Sequence, residues 1–205
     1  MKATNNPTAV MHKAAKIIAM LTNPAVLSII MLLIISFTKS DRLSAAAAQA
    51  GVLLGLFVIL PLVFVVLRTA SRPERKIYRA DPTLFLKQHP LDIIVLGIVC
   101  GSSSWTIMKL LSAPASTLCT LIALQVVSIL IAIINLFYRA SFHMAAITVL
   151  VYMAVVIWGA PLLILLLVIP PIAWAKYTLH EHDFLQMILG ASMAVAVTAM
   201  TIRLL

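Results

Sequence analysis

The stretch HMAAITVLVYMAVVIWGAPLLILLLVIPPIAWAK, residues 143–176, decides the architecture. Between His143 and Lys176 lie 32 residues without a charge, interrupted only by Gly159-Ala160-Pro161. As one α-helix this stretch would be about 48 Å long, too long for a hydrocarbon core of about 30 Å. It therefore reads as two short membrane-crossing helices with the Gly-Ala-Pro step as the turn between them.

The rest of the chain repeats this pattern. Helix one is expected at about 17–38, with Pro24 near its start, and helix two at about 43–67. The third spans about 91–111 and the fourth about 114–137. A last helix covers about 184–202. Of the 205 residues 63% are hydrophobic and 10% charged, and the mean hydropathy is +1.12. Soluble domains are roughly 45–50% apolar and about 25% charged. The chain therefore reads as all-α, a polytopic bundle of six or seven transmembrane helices. It forms a single membrane domain over residues 1–205, with 1–16 as an interfacial N-terminal segment. The first apolar run is about twice as long as a signal-peptide core and reads as a retained helix.

Counting crossings from the N-terminus gives a prediction by parity. The long polar segment 68–90, the connection 138–143 and the connection 176–183 all fall on the N-terminal side. Eleven of the fifteen Lys and Arg residues also fall there, the other four being Lys39, Arg42, Lys109 and Arg203. The positive-inside rule assigns that face to the cytoplasm. The formal charge of +9 fits basic loops against anionic headgroups. Nucleic acid is not an expected partner, because no soluble basic arm is present. Cys100 and Cys119 lie inside apolar stretches and read as small buried residues.

His143 and His182 each begin an apolar helix on the predicted common face, close in sequence to Arg139 and Lys176. Ionisable groups at membrane depth are functional candidates. Several cations with two histidines suit phosphoryl transfer. The cations hold the phosphate oxygens, one imidazole attacks phosphorus, and the other protonates the leaving oxygen. This chemistry needs no metal and no cofactor. His180-Glu181-His182-Asp183 could be read as metal ligands, but adjacent residues point apart. His180 reads as a solvated loop residue and Asp183 as the start of the last helix. No acidic residue falls mid-helix as a transporter would favour, and no Asp-rich diphosphate motif is present as a prenyltransferase would require. Ser102-Ser103-Ser104 reads as helix-packing material.

The segment Ala173 to Ala191 resembles the third signature of the type 2 phosphatidic acid phosphatase superfamily. That signature is Ser-Arg-x5-His-x3-Asp leading into an apolar helix, with a variant His-x3-Gln followed by an aliphatic run and Gly-Ala. Lys176 stands at the arginine, His182 at the nucleophilic histidine and Gln186 at the residue that orients it. Ala140-Ser141-Phe142-His143 resembles the second signature, Pro-Ser-Gly-His. The first, Lys-x6-Arg-Pro, is met at Arg72-Pro73 only; its lysine position holds Val65, and Arg68, Arg75, Lys76 and Arg79 are the candidates to replace it.

The resemblance covers about residues 65–195. It implies His182 as nucleophile, His143 as general acid and Gln186 as the group orienting His182. Arg72, Arg75, Lys76, Ser141 and Lys176 are the implied phosphate ligands, with no metal among them. The implied activity is a metal-independent hydrolase of a lipid phosphate monoester or diphosphate, of prenyl diphosphate or phosphatidate type, through a phosphohistidine. Membrane lipids are expected neighbours, and a homo-oligomer is an open option. The alternative is a catalytically impaired descendant acting as a lipid-binding or scaffold protein. Lysine for arginine loses the bidentate fork, glutamine for aspartate removes a charge, and phenylalanine for glycine crowds a turn.

Overall fold

The structure is a computed structural model, and it describes residues 7–70 and 90–204. Among these residues there are helices and connecting turns and no strand. The chain is thus an all-α membrane protein. Five segments, Ala9–Lys39, Leu43–Arg68, Ala115–Ile134, Ala160–Thr178 and Phe184–Leu204, are long and apolar enough to cross a bilayer. The helices Ile94–Leu110 and Phe142–Trp158 are apolar but shorter.

The first helices are α1 (Pro7–Leu21) and α2 (Pro24–Lys39). Helix one therefore starts earlier than its apolar run and is broken at Thr22-Asn23. Asn23 accepts a hydrogen bond from the Ala25 amide through Oδ1 at 3.0 Å. It is an N-cap followed by proline at the first helical position, a strong start signal for a new helix. The next long helix runs as α3 (Leu43–Leu54), a π-turn (Gly55–Ile59) and α4 (Leu60–Ala70). Pro61 lacks the amide that would serve the Phe57 carbonyl, which is a physical reason for the wider turn there.

Further along the chain come α5 (Pro90–Leu110) and α6 (Ala115–Ile134). After them come α7 (Phe142–Trp158), a 3₁₀ segment (Ala160–Val168), α8 (Ile169–Thr178) and α9 (Phe184–Leu204). The described residues group into two compact units. One comprises the chain up to Ile30 together with Val126 onward, the other Met31 to Gln125.

In the Met31–Gln125 unit, Leu32, Leu53, Met108, Ala113 and Leu121 form a buried cluster drawn from α2, α3, α5, the following turn and α6. Gln125 donates through Nε2 to the Gly97 carbonyl at 2.8 Å. Its amide lies where a Cβ on Gly101 would be. The Gly97-x-x-x-Gly101 spacing thus gives a polar side chain of α6 access to the backbone of α5. Small residues commonly serve close approach in membrane helices.

In the other unit α7 is the central element, with ten of its seventeen residues buried. It packs against α9 along Met187, Gly190, Ala194, Thr198 and Thr201, all buried. The hydroxyls of Thr148 and Thr198 donate to carbonyls one turn back, both at 2.7 Å. Hydroxyls are thereby tolerated in an apolar interior. The expected break falls at Gly159, whose φ of 95° is a conformation that a side chain disfavours. Beyond it the helix is half 3₁₀. Pro170 and Pro171 cannot donate amides, and the Leu166 carbonyl is instead met by Ile169, three residues on. Nine 3₁₀ residues and ten α residues reach about 33 Å, against about 28 Å for an all-α segment of that length. The tighter winding makes a short segment long enough to cross the core.

Candidate functional site

The ends of α7, α8 and α9 converge within this one unit. Ser141 is the N-cap of α7, its hydroxyl accepting from the Met144 amide at 3.4 Å. Its own amide donates to the Gln186 carbonyl in the first turn of α9 at 3.1 Å. An ideal Cβ on Gly190 would lie 2.5 Å from the Ser141 carbonyl oxygen, so the backbones meet where only glycine fits. The start of α7 is thereby fastened to the start of α9, and His143 and His182 are carried by these two starts.

Asp183 and Gln186 form a capping box. The Gln186 amide donates to Asp183 Oδ1 at 2.8 Å, and the Asp183 amide points at Gln186 Oε1 at 3.4 Å. Two amides at the helix start are met reciprocally, and the carboxylate faces the positive end of the helix. The same Oε1 lies 3.0 Å from His182 Nδ1. The Asp183 amide can only donate, so the atom turned to it is the oxygen. Nδ1 must then carry the proton, which leaves a lone pair on Nε2 of neutral His182. A single glutamine caps α9 and selects the histidine tautomer.

Lys176 lies in the last turn of α8 and is 3% exposed. Its Nζ donates to Glu181 Oε2 at 2.6 Å. A buried ammonium requires such a partner. The partner is delivered by the way α8 ends. His180 takes a left-handed conformation, with φ of 53°. The His180 amide donates to the Tyr177 carbonyl at 3.0 Å, and the Glu181 amide to the Lys176 carbonyl at 3.1 Å. This is a Schellman closure without glycine, and it turns the residue after His180 back over the end of α8.

The charges form one group. Lys176, Glu181 and His182 each act electrostatically on His143, and Lys176, His143 and His182 each act on Glu181. Burial works to raise the Glu181 carboxyl. The hydrogen bond and charge of Lys176, with the two histidines, outweigh burial and hold it below the usual carboxylate range. Among the described residues, no three His, Cys, Asp or Glu side chains come together as a metal-ligand group.

Of the residues singled out in the sequence, Ser141, His143, Lys176, His182 and Gln186 thus come together. Ser141 is fully buried and His143 and His182 are partly exposed. Arg72, Arg75 and Lys76 lie outside the described residues. Glu181 has no partner legible in the sequence, where it falls only within the unfavoured metal motif His180-Glu181-His182-Asp183. Its pairing follows from the left-handed His180, for which no glycine gives a signal. Compared with protein-family models, curated proteins and solved structures, the chain matches none.

Proposed function

We propose that this protein is an integral membrane phosphatase acting on a lipid phosphate monoester or diphosphate, with its site at the cytoplasmic face. The observation that supports it most is the pairing of His182 with Gln186 at 3.0 Å in the neighbourhood of His143 and Lys176. A tautomer with a free Nε2 lone pair is what an in-line attack on phosphorus needs.

In the first step Nε2 of His182 bonds to phosphorus, and the bond from phosphorus to the lipid oxygen breaks. The electron pair leaves with that oxygen, which takes a proton from the His143 imidazolium. The bound phosphate group itself supplies the negative charge that favours the protonated form of His143. In the second step neutral His143 takes a proton from water, which attacks phosphorus and releases orthophosphate and neutral His182. Lys176 and the basic residues Arg72, Arg75 and Lys76 balance charge on the non-bridging oxygens. Ser141 contributes through the α7 start, its hydroxyl hydrogen being available for donation. The positive-charge asymmetry of the chain supports the cytoplasmic side.

A second reading is a non-catalytic lipid-binding protein of related build. It is favoured by the Lys176 ammonium being already neutralised by Glu181 and by the enclosure of Ser141. Orthophosphate release by purified protein from phosphatidate and prenyl phosphates and diphosphates separates the two. The phosphatase reading requires release that His182→Ala abolishes. A folded protein inactive on the whole set supports the second reading.

A further inference from the structure

Glu181 stands where an incoming anion would stand. Its carboxylate contacts the Lys176 ammonium at 2.6 Å and is acted on by both His143 and His182. These are three of the groups that the proposed reaction assigns to the phosphate. The two ends of the pair differ in freedom. The Lys176 side chain is 4% exposed and fixed in α8, whereas that of Glu181 is 48% exposed on the α8–α9 turn. Glu181 can therefore withdraw into water, while Lys176 cannot follow it without taking its charge through the protein. The Schellman closure holds the backbone of the turn whichever way the side chain points.

We propose that Glu181 is a displaceable internal anion: it neutralises buried Lys176 in the resting protein and gives up its place to the phosphate group of the substrate. This deepens the phosphatase reading and rests on it. The consequence is selectivity by charge. A ligand must outcompete a carboxylate, so a terminal phosphate bearing close to two negative charges is accepted over a monoanionic phosphodiester of similar lipid. An empty site also keeps its ammonium paired at the membrane interface.

The test is titration of the purified full chain in detergent with orthophosphate at pH 7.5, followed by ³¹P NMR. The wild type is compared with Glu181→Gln, Glu181→Asp and Lys176→Met. Aspartate is one methylene too short to keep the 2.6 Å contact, and serves should the glutamine variant fold poorly. Removing the competitor is expected to tighten orthophosphate binding about fivefold or more, and Lys176→Met to abolish the gain when combined with Glu181→Gln. Wild-type binding that Lys176→Met weakens and both Glu181 variants leave unchanged would overturn the displaceable anion while keeping the phosphate site. Failure of the wild type and both Glu181 variants to bind orthophosphate, with no phosphate released from any lipid, would overturn both.

Discussion

Gly190 of α9 and Ser141 at the head of α7 meet backbone to backbone, with room for no side chain between them. This contact fixes the spacing of the helix starts that carry His182 and His143. A Gly190→Ala substitution must push the Ser141 carbonyl away, together with the Ser141 amide bond to Gln186. Forcing a methyl into packed backbone costs about 1–3 kcal/mol. The thermal midpoint in detergent should fall, and phosphate release should fall further than stability alone explains. Wild-type behaviour of Gly190→Ala in both measurements would count against the close crossing.

Gln186 has two partners, and its variants separate them. Gln186→Ala loses the capping-box acceptor and the His182 contact. It should lower stability by about 1 kcal/mol and turnover by about 10- to 100-fold. Gln186→Glu restores both acceptors and adds a charge that stabilises an imidazolium, so it should recover most of the turnover. Thermal midpoints and kcat for the two variants test this, and equal impairment of both would contradict the tautomer argument.

The Lys176–Glu181 pair predicts a pH dependence with a definite sign. The folded-state carboxyl of Glu181 is held below its ordinary range by Lys176 against the opposing effect of burial. Such a group contributes stability that is fully present above the unfolded carboxylate pKa of about 4.3. The contribution is lost as pH falls through the depressed folded value. The gap in thermal midpoint between wild type and Glu181→Gln should be constant from pH 7 to 5 and close below pH 4. Because Glu181 is half exposed, the gap should be small. A gap that widens on acidification would contradict the assignment.

In the Met31–Gln125 unit, Gly97, Gly101 and Gln125 make a self-contained test of helix packing. Gly101→Ala displaces the Gln125 amide and its hydrogen bond to the Gly97 carbonyl. The cost should be about 1 kcal/mol. In a Gln125→Ala background the same change should cost much less, since nothing is left to displace. Additive losses in the double mutant would show that the two positions are uncoupled.

The apolar runs made most of the helices legible in the sequence, because lipid permits few alternatives to a closed backbone ladder. Gly159 was legible as a break, since a charge-free run of that length must turn. The 3₁₀ half of the following segment was not, because hydropathy carries no information about rise per residue. Asn23-Pro24 carried the cap-and-proline signal of a new helix, yet the apolar run continues across it and reads as one helix from about 17 to 38, with Pro24 near its start. Gly97-x-x-x-Gly101 was a usable signal that the neighbouring serines obscured. At the site, the spacing Lys176-x5-His182-x3-Gln186 was enough to bring out the ligand-like side chains. Glu181 was hidden because its pairing depends on His180 adopting a left-handed conformation, a local backbone choice that no glycine announces.

The proposed reaction passes through a covalent phosphohistidine, and the acid and base stability of a trapped label reports on it. Purified protein is mixed with phosphatidate or prenyl phosphate labelled with ³²P, quenched within a turnover and digested. The expected label is base-stable and acid-labile, lies on the peptide containing His182, is retained in His143→Ala and is absent in His182→Ala. Steady phosphate release with no label on any histidine, or with full activity in His182→Ala, would contradict it.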